Sequence, residues 1–214
     1  MTYKEVVDAI DRELELIVPK IEEAKRRFES LVKKARRYPV ERHLQIESRY
    51  KTTFHVIFRA LKRSSWDNPV LLIYVPFFRS DGMYVAYVSK SRHKTVIFTS
   101  HFFTRYRERI LGGDTTTPTP EMVKQFLASN FDMLLTEATE NFVKKVDRYE
   151  QECKGTPFAC VMPQGCGFGE LDGDAVIVRT IISNDMLRDG QDEAFATLRS
   201  RLEFYRDLKK RLSR

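Results

Sequence analysis

The chain has few cysteines, no long apolar run and none of the familiar catalytic signatures. Its cysteines, Cys153, Cys160 and Cys166, are odd in number and form no Cys-x-x-Cys pair. That argues against a disulfide scaffold and against a zinc site. It fits buried free thiols in a reducing compartment, with a Cys160–Cys166 bridge left open. No stretch approaches the ~20 apolar residues needed to span a membrane, so no membrane partner is expected. Met1-Thr2-Tyr3-Lys4-Glu5 lacks the apolar region of a secretory signal, and the expected location is cytoplasmic. His-Glu-x-x-His and Gly-x-Ser-x-Gly are both missing. Gly165-Cys166-Gly167-Phe168-Gly169 is glycine-rich but leads into a strand pattern and an Asp-Gly turn. A phosphate loop or dinucleotide fingerprint would lead into a helix. No cofactor and no metal are therefore expected.

What the chain does carry is charge, unevenly spread. The net charge is +7. Residues 43–111 hold 12 Lys/Arg against 4 Asp/Glu, whereas residues 112–194 hold 7 against 15. A basic segment of this kind suits an anionic partner such as RNA, DNA or an acidic protein face. Packing of the two segments against each other would neutralise the same charges locally. Tyr50, Trp66, Tyr84 and Tyr87 lie in or near the basic segment, where they could stack bases or fill a sheet core.

Periodicity divides the chain into an α+β order. Val6, Ile10, Leu14, Ile17, Ile21, Phe28 and Leu31 recur at helical spacing. Pro19 inside this pattern predicts two helices or a kink just before it. Residues 43–97 read as an antiparallel sheet of three or four strands, with His55 and His93 as isolated imidazoles. Helices follow over 98–111 and 119–129, with a further helix over 130–146. Strands are predicted at Thr156–Met162, Cys166–Leu171 and Ala175–Ile182, the last two joined by the Asp172-Gly173 turn. A closing helix over 191–212 ends in solvated Lys and Arg. The expected domains are an N-terminal helical segment (1–42), a β segment (43–97), a helix-helix-β meander core (98–190) and a C-terminal helix packing on it (191–214).

The candidate site is on the helix over 98–111, with Thr99 or Ser100 as its N-cap and Gly112-Gly113 as its stop. His101, Arg105 and Arg109 are spaced four residues apart and fall in one stripe, with Glu108 on the same side. Phe102, Phe103, Tyr106 and Ile110 fill the adjoining face. The same side chains could form an ordinary structural network, with Arg105 paired to Glu108 or Glu170.

The segment Ser100-His101-x3-Arg105-x3-Arg109-Ile110 resembles a Ser-x-His-Ala-x-x-Arg-x3-Arg-Ile pattern. That pattern belongs to a family of small bacterial and phage domains in the RelE/barnase-like toxin superfamily. Phe102 stands at the family's Ala position, and Ser directly precedes His. Gly167–Thr180 is similar to the family's closing strands. The resemblance covers about residues 98–184. It implies a metal-independent ribonuclease-like domain with RNA as substrate and an antitoxin-like protein as partner. In that chemistry His101 would be base or acid, and Arg105 and Arg109 would hold phosphate oxygens. Thr180 would orient phosphate or imidazole, and Glu108 or Glu170 would be the second acid/base group. The alternative is a non-catalytic interaction or structural protein on the same scaffold, with a basic surface for an anionic partner.

Overall fold

The computed structural model describes residues 1–89, 94–131, 133–137, 155–173 and 175–186, together with Ser200, Glu203 and Asp207. The chain divides into two compact units, Met1–Ile97 and Phe98–Arg214. Each mixes helix with antiparallel strands, so the α+β class holds for both.

The first unit begins with α1 (Tyr3–Lys34). Thr2 Oγ1 accepts from Glu5 N at 3.2 Å while Thr2 N donates to the Glu5 carboxylate at 2.7 Å. This reciprocal cap satisfies two otherwise orphan N–H groups. The helix is continuous, so of the two forms predicted around Pro19, two helices or one kinked helix, the separate helices are excluded. Pro19 lies on the exposed side, so the Glu15 carbonyl that loses its partner there can bond water. Lys33 and Lys34 occupy the last turn, where cations complement the helix dipole. The Lys33 ammonium also lies 3.4 Å from the Trp66 ring centre.

Five strands follow rather than three or four: β1 (Val40–Glu47), β2 (Thr53–Ala60), β3 (Val70–Arg79), β4 (Gly82–Ser89) and β5 (Lys94–Phe98). In the first unit they are ordered β1-β2-β3-β4-β5. Sequence reasoning passed over β1 because none of its residues is buried; a strand at a sheet edge needs no apolar face. It pairs antiparallel with β2, from Val40↔Ala60 to Glu47↔Thr53. Phe54, Val56, Phe58 and Ala60 on β2 are fully buried, and Phe58 stacks on Phe28 of α1 with ring centres 5.5 Å apart.

The second unit contains α2 (Ser100–Arg109), α3 (Thr119–Ser129), β6 (Leu134–Glu137), β7 (Thr156–Met162), β8 (Gly165–Asp172) and β9 (Ala175–Ser183). Its strands form an antiparallel meander ordered β9-β8-β7-β6. The helix predicted over 130–146 is corrected at 134–137, which is a strand paired with β7 from Leu134↔Val161 to Glu137↔Phe158. The reason is a helix stop at Asn130. Its side-chain N–H donates to the Phe126 carbonyl at 2.9 Å, and its own backbone leaves the helical region. A short apolar run beyond such a stop reads equally well as strand or helix. Positions 132 and 138–146 of that predicted helix lie outside the described residues, as does His93. Of the predicted closing helix, Ser200, Glu203 and Asp207 are described, and all three are helical.

An aromatic cluster forms the core of this unit. Phe126 of α3 meets Phe98, Phe102 and Tyr106 edge-on, with ring centres 4.9 to 5.1 Å apart. Such pairs are worth about 0.5–1.5 kcal/mol each beyond the area they bury. At the start of α2, Thr99 N donates to the Val178 carbonyl of β9 at 3.1 Å, and Thr99 Oγ1 accepts from Phe102 N. Gly112 and Gly113 end the helix, both at positive φ where a side chain would be strained. On β8, a Cβ at Gly167 would lie 2.7 Å from Val178 Cγ1, so only glycine lets these strands approach.

Candidate functional site

The α2 stripe does not act as one unit. His101 is exposed, and Arg105 Nε donates to its Nε2 over a long 3.4 Å. The Arg105 guanidinium also pairs with the Glu108 carboxylate at 2.7 Å. Arg109 turns to the strands and donates to the Ile181 carbonyl at 2.6 Å. Arg107, which the stripe did not include, donates to the carbonyls of Asp114 and Thr117 at 2.8 and 3.1 Å. It thereby clasps the loop after α2. That loop is further fixed by Asp114, whose carboxylate accepts from Thr116 and Thr117. Those hydrogen bonds hold it well below the usual carboxylate range.

Thr180 stands apart from this exposed group. It is 1% exposed, and its hydroxyl has no hydrogen-bond partner among the described residues. A hydroxyl so enclosed does not share a solvent-facing surface with His101. Glu170 is also committed elsewhere. Arg179 donates to it through Nε at 3.0 Å and through Nη2, and Gly155 N donates to its other oxygen at 2.9 Å. Arg179 is the extra residue of a β-bulge between β8 and β9, which turns its side chain toward Glu170.

Three polar groupings escaped the sequence. His43 Nε2 lies 3.0 Å from His55 Nδ1, and both rings stack with Tyr74. Neither histidine is isolated, which corrects the reading of His55 as a lone imidazole. Placing a turn at Ser48–Thr52 would have revealed the pair, since it makes the two residues diagonal neighbours. Burial, and then the neighbouring His43, lower the His55 pKa to about 4. Second, Gln164 Oε1 accepts from Tyr106 OH at 3.0 Å and from Asn130 Nδ2 at 2.7 Å. The third grouping is Glu13 with Ser48, described below. Cys160 and Cys166 are both buried free thiols, which decides against the bridge; burial pushes both thiols up, so neither is a ready nucleophile.

Of the possible base-stacking aromatics, Tyr84 and Tyr87 are buried, Trp66 lies under Lys33, and Tyr50 is exposed beside Arg49. Among the described residues no group of three or more His, Cys, Asp or Glu could hold a metal, and no helix is long and apolar enough to cross a membrane. The two units thus define an α+β protein whose most polar helix face is partly tied to its own strands. No family model matches the sequence, and no curated protein or solved structure matches it either.

Proposed function

We propose that the second unit is a non-catalytic interaction module on a ribonuclease-like scaffold, with α2 serving an anionic partner, RNA first among them. One observation carries this reading: each arginine of α2 is held by intramolecular bonds, and two of the three rest on uncharged carbonyls. Arg107 and Arg109 therefore keep their positive charge at fixed positions, while Arg105 is neutralised by Glu108. Fixed cations attract a polyanion over a Debye length. They do not supply the base and acid that RNA cleavage needs.

The second reading, a metal-independent ribonuclease, is favoured by the exposed His101 imidazole beside the Arg105 guanidinium. A single assay separates the two. Labelled RNA is incubated with the protein over a salt series, with binding and strand scission read in parallel. Salt-sensitive binding without scission is the expected result. Scission by the wild type that disappears in His101→Ala would replace the interaction reading with the enzyme.

A further inference from the structure

The first unit contains a groove that the α2 reading does not use. It lies between α1 and β3, has a volume of about 540 Å³ and is lined by Val6, Ala9 and Ile10 on one side and by Val75 and Phe77 on the other. That size is within the usual range for small-molecule sites. Glu13 lines one end. Although charged, Glu13 is only 8% exposed.

Its hydrogen bonding makes this carboxylate unusual. Ser48 Oγ accepts from the backbone N–H of Tyr50 at 3.1 Å and of Thr52 at 3.2 Å. With both acceptor directions used, its one proton goes to Glu13 Oε2. The other oxygen, Oε1, has no partner among the described residues. Oε1 is not among the enclosed oxygens that lack a partner, so it stays open, and a cation placed on it would add the countercharge that the Ser48 hydroxyl does not supply. The groove lining holds two cations, both engaged elsewhere: Arg79 donates to the Met1 carbonyl at 3.0 Å and lies over the Tyr3 ring at 4.1 Å, and the Met1 ammonium acts on the Glu5 carboxylate. Val6 to Glu13 spans roughly 10 Å of helix, with apolar walls between.

We propose that this groove binds a small apolar primary amine, its ammonium on Glu13 and its hydrocarbon body along Val6, Ile10, Val75 and Phe77. The ammonium supplies the missing donor and countercharge in one group. A carboxylate ligand would meet the Glu13 charge, and a neutral alcohol would leave that charge uncompensated.

The test titrates hexylamine into the full chain by calorimetry, with hexanoate and hexanol as controls. Hexylamine alone should bind, with Glu13→Gln weakening it by about tenfold or more, as expected for loss of a charge-assisted bond. Gln retains an acceptor for Ser48, and a thermal melt verifies its folding. Ala9→Phe fills the groove without touching the carboxylate and should abolish binding as well. The proposal is overturned if hexylamine does not bind the wild type, if Glu13→Gln and Ala9→Phe bind it unchanged, or if hexanoate binds equally well.

Discussion

Glu13 in the first unit and Glu170 in the second are both nearly out of solvent, at 8% and 3% exposure. Glu170 has both oxygens occupied and a guanidinium as countercharge. Glu13 has a single hydroxyl donor and no countercharge among the described residues. Desolvating a carboxylate costs several kcal/mol, which a counterion with further hydrogen bonds can offset. Glu170 is offset from within the fold, and it joins the Gly155 backbone to β8 and β9. Glu13 is offset only in part. A saturated buried charge serves architecture, and an unsaturated one in a groove is available to a ligand.

Removing the partner in each unit tests that contrast, and gives the largest effect. Arg179→Ala leaves Glu170 buried without its cation and should destabilise the second unit by about 3–5 kcal/mol. Ser48→Ala removes one hydroxyl from Glu13 and two backbone donors and should cost about 1–3 kcal/mol. Urea unfolding followed by far-ultraviolet circular dichroism measures both. Equal losses would erase the distinction between the two carboxylates.

A part-buried base extends the comparison, because His55 is held neutral. Burial and His43 hold its pKa at about 4, against about 6.5 in the unfolded chain. Above about pH 6.5 the ring is neutral in both states and contributes nothing. Between about 6.5 and 4 only the unfolded chain takes up the proton, so stability falls as pH falls. The expected loss is about 1–2 kcal/mol, discounted for the solvent that reaches the ring. His55→Phe retains the stack on Tyr74 and should flatten the dependence of the urea midpoint between pH 7 and pH 4.5. An unchanged slope would place the acid sensitivity in other groups.

The parts of the fold legible in the sequence are those with local chemistry. Thr99 as a cap, Gly112-Gly113 as a stop and the strands from Thr156 to Ser183 all follow from neighbouring residues. Partners set by tertiary placement were not legible. Arg109 finds a main-chain carbonyl on β9, which leaves no side-chain signature. Glu13 reads as one more helix charge until the turn around Ser48 folds back on it. Pro19 left two forms open because its effect depends on facing water, a property of packing. Spacing sets His101, Arg105 and Arg109 four residues apart on α2, but it does not say that the last of them turns to the strands.

The smallest expected effect bears most directly on the α2 site. Thr180 was the strand residue meant to face His101, yet its hydroxyl is enclosed and has no partner among the described residues. An unsatisfied buried hydroxyl is a liability, and replacing it with a methyl of similar shape removes that liability. Thr180→Val should therefore leave stability unchanged or raise it by up to about 1 kcal/mol. The proposed RNA binding, which we place on the fixed cations of α2, should be unaffected. A catalytic Thr180 requires a different outcome: a loss of scission in Thr180→Val, whatever happens to stability. The one substitution thus separates a hydroxyl trapped by packing from a hydroxyl that works on phosphate. Paired with His101→Ala, it separates an enzyme that uses both residues from a helix whose cations only hold and attract.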